Sequence, residues 1–245
     1  MRGHARARHA SAQVPNLITF ANLLCGVAAI MLATERHFAV ATGAIFTAGA
    51  LDLLDGALAR RLRGFDAFGE ALDSLADIIS FGVAPGLLIY EAFLHPWPVL
   101  GWVVAGGYVV CGAWRLARFA SDVKGPYFRG LPITMAGMSA AALLFYRDFW
   151  SPRLVALLTL GLAVLMVSHL RFPKFPAIAG RLPRPAQLLA LLCLLAASLL
   201  VPLSTVIVAL GLSYYVGSLL ENLGFWEAVA DGPVGDVVER LRARL

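Results

Sequence analysis

The chain has 245 residues, 60% of them hydrophobic and 14% charged, with a formal net charge of +5. Soluble domains carry about a quarter charged residues, so this composition excludes an ordinary soluble body and points to a single polytopic membrane domain. The basic residues are scattered through short polar stretches with no Lys/Arg stripe interleaved with aromatics, which argues against nucleic acid as a partner.

Hydropathy marks eight candidate spans, at about 15–34, 38–61, 67–94, 97–119, 130–147, 153–170, 186–202 and 204–222. The basic N-terminus resembles the start of a signal peptide. However, Pro15-Asn16 opens the first run and no small-residue cleavage site closes it, so an uncleaved first helix is expected. Cys25, Cys111 and Cys193 all fall inside apolar runs and read as small buried hydrophobes, not as a disulfide or metal framework. His4, His9, His37, His95 and His169 lie near span ends without metal spacing. A Pro- and Arg-containing stretch from Arg171 to Pro185 precedes the last two spans. Beyond them, Val234, Val237, Val238, Leu241 and Leu245 recur at helical spacing, the pattern of a surface helix. The expected organisation is a transmembrane domain over 1–225 and a cytoplasmic tail over 226–245.

Alternate loops of this arrangement collect 17 of the 20 basic residues on one side, leaving Arg36, Arg147 and Arg153 on the other. Cytoplasmic loops are enriched in Lys and Arg, so both termini are expected on the cytoplasmic side of the cell membrane. An odd number of spans would scramble this division.

Spans two and three also carry Asp52, Asp55, Asp73 and Asp77. A carboxylate at the centre of a membrane helix costs roughly 2.5–3.5 kcal/mol, so four of them need a cationic partner. The nearby bases, Arg60, Arg61 and Arg63, are too few. On a helix, Asp52, Asp55, Gly56, Ala59 and Arg60 share an arc of roughly 140°. Gly69, Asp73 and Asp77 form an i, i+4, i+8 stripe on the next span. The polar stretch 61–68 supplies a turn, so the two acidic stripes face one another near the cytoplasmic surface. Aspartate-only ligation suits Mg²⁺ or Mn²⁺ and not zinc. Two metals held by four carboxylates would clamp a diphosphate.

The residues Asp52-Leu53-Leu54-Asp55-Gly56-Ala57-Leu58-Ala59-Arg60, then eight residues, then Gly69-Glu70-Ala71-Leu72-Asp73-Ser74-Leu75-Ala76-Asp77, resemble the signature of the CDP-alcohol phosphatidyltransferase family. The resemblance implies an all-α integral membrane bundle, with a six-helix core plus two further transmembrane helices, acting as a homodimer. It implies that Asp52, Asp55, Asp73 and Asp77 hold two divalent metals, and that Asp77 also takes the acceptor hydroxyl's proton. Gly56, Ala59, Arg60 and Gly69 would line the CDP site together with Asp52 and Asp73. The donor would be CDP-diacylglycerol, with CMP as the leaving group.

Flanking segments narrow the resemblance to the bacterial and archaeal membrane-type branch that uses L-serine. They are Pro15-Asn16-Leu17-Ile18-Thr19-Phe20-Ala21-Asn22, Ile78-Ile79-Ser80-Phe81-Gly82-Val83-Ala84-Pro85, Arg115-Leu116-Ala117-Arg118-Phe119 and Phe128-Arg129-Gly130-Leu131-Pro132. Two positions depart from that branch: Glu70-Ala71 reverses the expected order of small residue and acid, and Thr134 replaces a common proline. A serine acceptor carries a carboxylate, so at least one of Arg118 and Arg129 is expected to hold it, with Arg115 as a possible third. Glycerol 3-phosphate or an inositol phosphate is the alternative acceptor. A carboxylate-based cation or proton transporter is the reading from another class. It predicts acids near the bilayer midplane and an internal repeat, whereas these acids cluster toward the basic face and the motif does not recur.

Overall fold

The computed structural model describes residues 2–62, 67–121, 127–173 and 202–223. Their order is α1 (Arg2–Thr34), α2 (Phe38–Leu62), α3 (Ala67–Leu94), α4 (Pro98–Ser121), β1 (Tyr127–Arg129), α5 (Ile133–Ala142), α6 (Pro152–Val167), β2 (Arg171–Pro173) and α7 (Leu203–Asn222). Four stretches are long and apolar enough to cross a bilayer: Pro15–Thr34, Phe38–Leu58, Ala67–Leu94 and Pro98–Ser121. Pro152–Val167 and Ser204–Leu220 are shorter apolar helices. The chain is a multi-pass membrane protein.

The side-chain pattern of α1 supports this placement. Its inner stripe, Thr19, Asn22, Gly26, Ala29 and Ala33, is small or polar and buried. Leu17, Leu24 and Met31 point outward, each more than half exposed. Large apolar groups outside and small groups inside suit a lipid solvent, where close helix approach replaces hydrophobic burial.

Several expectations need adjustment. Helix α1 begins at Arg2 and passes through Pro15, and its apolar membrane-length part, Pro15–Thr34, coincides with the expected first span. The fifth expected span, 130–147, is α-helical only over Ile133–Ala142. It continues as a 3-10 helix over Leu143–Phe149, broken by the non-helical backbone of Tyr146. Pro132, extended at the N-cap, sets its start. The sixth helix is 16 residues long because Ser151 caps its start and Ser168 turns extended at its end. The antiparallel β1–β2 ladder, pairing Phe128 with Phe172 and Arg129 with Arg171, adds strands to an expected all-helical fold. The predicted span 186–202 and the predicted surface helix lie outside the described residues.

Helix α3 is not uniformly α. Ile78–Val83 and Tyr90–Leu94 are π-helical, flanking a short α segment at Ala84–Ile89. Pro85 cannot supply the backbone donor that the Phe81 carbonyl would take in an α-helix, and its ring crowds that carbonyl. The buried Tyr108 hydroxyl of α4 donates to Phe81 O at 2.9 Å and gives that carbonyl a side-chain partner. Within a bilayer such a substitute donor is required, since no water is available.

Met1–Val123 with Gly130–Ser168 form one compact unit, and Lys124–Arg129 with His169–Leu245 form a second. In the first, α1 lies along α2 and also meets α3, while α4 packs on α6. In the second, Phe172 stacks on Tyr214 of α7 with ring centroids 6.0 Å apart. There the Asn222 side chain brackets the backbone of Arg171 through two hydrogen bonds.

Candidate active site

The lower end of α2 and the first turns of α3 bring three carboxylates together. One oxygen from each of Asp52, Asp55 and Asp73 lies within 4.8 Å of the others. The i, i+3 spacing on α2 puts Asp52 and Asp55 on one face, and α3 meets that face with Asp73. Asp77, one turn further along α3, is buried but is not part of this group. Its Oδ1 has no hydrogen-bond partner among the described residues. Of the four predicted acids, Asp52, Asp55 and Asp73 converge within 4.8 Å and Asp77 lies one turn deeper.

Two hydroxyls bond carboxylate oxygens of this group. Thr19 of α1 donates to Asp55 Oδ2 at 2.9 Å, and Thr134 of α5 donates to Asp52 Oδ2 at 3.2 Å. Carboxylates this close repel one another strongly, and the threonines bring no charge to offset that. A hard divalent cation does, and three convergent aspartates, two of them held by hydroxyls, fit Mg²⁺ or Mn²⁺.

The remaining predicted residues fall as follows. Gly56 is half-buried beside Asp55, and Gly69 is buried one turn before Asp73. Ala59 and Arg60 belong to the last turn of α2, where their side chains lie outside the described residues. Arg115 of α4 is 6% exposed, lies 5.2 Å from the Phe119 ring centroid, and is near enough to act electrostatically on Asp52 and Asp77. Arg118, one turn along, faces the end of α6. Its guanidinium donates to the carbonyls of Met166, Val167 and Ser168 at 2.9–3.2 Å. Those are carbonyls a helix leaves unpaired at its C-terminus, so Arg118 caps α6. Gly130 packs into the same corner with φ +76°, where a Cβ would meet Arg118 Nη2 at 2.6 Å. Arg129 is exposed on β1, opposite Arg171.

Sequence reasoning gave no role to Thr19, Asn22 and Thr134. Polar residues spaced i, i+3 within the apolar first span were the available signal for the first two. Nothing local marks Thr134, because its partner Asp52 is 82 residues away in the chain.

Residues 12–170 match the family described as CDP-alcohol phosphatidyltransferase. A Bacillus subtilis protein named CDP-diacylglycerol–serine O-phosphatidyltransferase is 40% identical over 163 residues, covering 66% of this chain and 90% of that protein. A Mycobacterium bovis protein of the same name is 35% identical over 199 residues, covering 76% of this chain and 69% of its own length. An archaetidylserine synthase from Methanothermobacter thermautotrophicus is 34% identical over 164 residues, with 66% and 70% covered.

Proposed function

Because the chain belongs to the CDP-alcohol phosphatidyltransferase family, we propose that it transfers the phosphatidyl group of CDP-diacylglycerol to the hydroxyl of L-serine. The products are phosphatidylserine and CMP. The observation that carries this reading is the convergence of Asp52, Asp55 and Asp73 within 4.8 Å, in a chain 40% identical to a serine-named relative.

Asp52, Asp55, Asp73 and Asp77 would hold the metals, with Gly56, Ala59, Arg60 and Gly69 beside the CDP moiety. Bound there, two divalent cations, Mg²⁺ or Mn²⁺, would supply charge neutralisation of the diphosphate and of the attacking and leaving oxygens. Asp77 takes the proton of the acceptor hydroxyl. The freed oxygen forms a bond to the phosphorus bearing diacylglycerol. The bond from that phosphorus to the CMP oxygen breaks, and its electron pair leaves on CMP.

The serine carboxylate falls to the arginine group Arg115, Arg118 and Arg129. The burial of Arg115 and its reach to Asp52 and Asp77 favour it within this group. Helices α1–α6 form a six-helix core that works as a homodimer in the cytoplasmic membrane. Helix α7 and the predicted span 186–202 are added to it, and 1–225 make one domain with 226–245 as its tail. The active site and both termini face the cytoplasm, where the water-soluble acceptor is.

The test is CMP release from CDP-diacylglycerol by the purified full chain with serine, glycerol 3-phosphate or inositol phosphate, with and without excess EDTA. Serine-dependent release abolished by EDTA is expected. Preference for another acceptor would refute the serine assignment, full turnover in EDTA the metal site, and no release under any condition the reaction class.

A further inference from the structure

Asn22, in the middle of the inner stripe of α1, is fully buried. Neither its Nδ2 nor its Oδ1 has a hydrogen-bond partner among the described residues. A buried carboxamide offers two donors and an acceptor, and native structures almost always pair them. Five buried side-chain polar atoms are orphaned among the described residues, and three of these belong to Asn22 and Asp77.

The helix register explains why these three belong together. Helices α1 and α3 run parallel, since α2 returns between them. Four residues up from Asn22, a Cβ on Gly26 would lie 2.8 Å from Ser80 Cα, so those two levels coincide. Stepping back one turn on both helices sets Asn22 level with Ala76 and Asp77. Ser80 also donates to Asn22 O at 3.0 Å, tying α3 to this point of α1. On the same stripe, Thr19 lies one turn toward the metal group and bonds Asp55. Asn22 therefore sits at the depth of the proposed base, just beyond the carboxylate cluster, with its polar atoms unspent. No hydrogen bond joins these orphaned atoms, and a ligand group able to satisfy both the Asn22 amide and the Asp77 carboxylate is one that both accepts and donates. A hydroxyl does both.

We infer that Asn22 is a further acceptor-binding residue: its Nδ2 donates to the acceptor's hydroxyl oxygen while that hydroxyl gives its proton to Asp77. One oxygen lone pair is thereby fixed by Asn22, and the other is aimed at phosphorus. This rests on the proposed transfer to serine and on Asp77 as its base.

The experiment compares Asn22→Leu, Asn22→Ala and Asp77→Asn with wild type, each as the full chain in lipid or detergent. Apparent Tm is measured without substrate, and CMP release is measured across serine and CDP-diacylglycerol concentrations. An apolar side chain removes an unpaired buried amide, so at least one Asn22 variant will match or exceed the wild-type Tm. Serine kcat/KM will fall by about 10- to 100-fold in that same variant. The KM for CDP-diacylglycerol will stay within about twofold, because Asn22 touches only the acceptor. A lower Tm in both variants would assign the carboxamide a structural role and overturn the inference, as would unchanged serine kcat/KM. The Asp77→Asn arm separates the two levels. Loss of turnover there with no effect at Asn22 sinks this inference alone, whereas near-normal turnover in Asp77→Asn sinks the base assignment beneath it.

Discussion

Replacing Thr19 with valine should weaken metal binding without disturbing the helix that carries it. Valine keeps the β-branched shape and nearly the volume of threonine, so α1 retains its packing. What disappears is the hydroxyl that donates to Asp55 Oδ2 at 2.9 Å, at a position where both residues are about 4% exposed. Hydrogen bonds to charged groups contribute about 1.5–3 kcal/mol. The Thr19 hydroxyl is also 3.1 Å from the Pro15 carbonyl, so its single proton is shared and the lower end applies. A loss of about 1.4 kcal/mol is a tenfold change in an equilibrium constant. Removing the partner of a ligating carboxylate costs 10- to 100-fold in metal affinity as a rule, consistent with that figure. The assay is titration of the purified protein with Mn²⁺, following the free-ion signal by electron paramagnetic resonance, alongside the Mn²⁺ dependence of CMP release. Thr19→Val should raise the half-saturating concentration about tenfold by both measures, and Thr19→Ser should restore most of it. Wild-type Mn²⁺ affinity in the valine variant would refute the reasoning and remove Asp55 from the metal site.

Two further substitutions separate function from scaffold. Arg118→Lys gives up a planar fork bonded to three carbonyls, so it should lower thermal stability while leaving the serine KM nearly unchanged. Arg115→Lys should instead raise the serine KM about tenfold, and the reverse pattern in paired melting and kinetic assays would move the acceptor carboxylate to Arg118. Tyr108→Phe removes the donor to Phe81 O and should cost about 1–2 kcal/mol. At about 2–4 °C per kcal/mol for a chain of this size, a melt should show a fall of roughly 2–8 °C, and no fall would mean that another group serves the carbonyl.

Local rules made much of this protein legible in advance. Apolar runs of bilayer length located α1 to α4 to within a few residues at most ends, because in lipid a helix must satisfy its own backbone. Misplaced carboxylates at i, i+3 and i, i+4 located the acidic group, because four charges in apolar spans demand a counterion. The family resemblance rested on the same residues. The sequence was less informative where partners are far apart in the chain. Span three read as one uninterrupted helix, and that it is π-helical around Pro85 with Tyr108 serving the Phe81 carbonyl depended on α4 lying against it. Arg118 read as a candidate ligand because it is basic and near a membrane surface. In the structure its guanidinium also bonds the last carbonyls of a helix some 50 residues later. The β1–β2 ladder joins three-residue segments too short for any periodicity to show.

Sequence by itself therefore determined the solvent this chain lives in, its four long apolar spans and the segments that carry its acids, because those follow from hydrophobic length and helical spacing along one stretch. Tertiary structure decided which three carboxylates converge, which hydroxyls hold them and where Asn22 is left unpaired. Those outcomes depend on the register between helices, and register is set by small-residue contacts such as Gly26 against Ser80 rather than by any pattern within one helix.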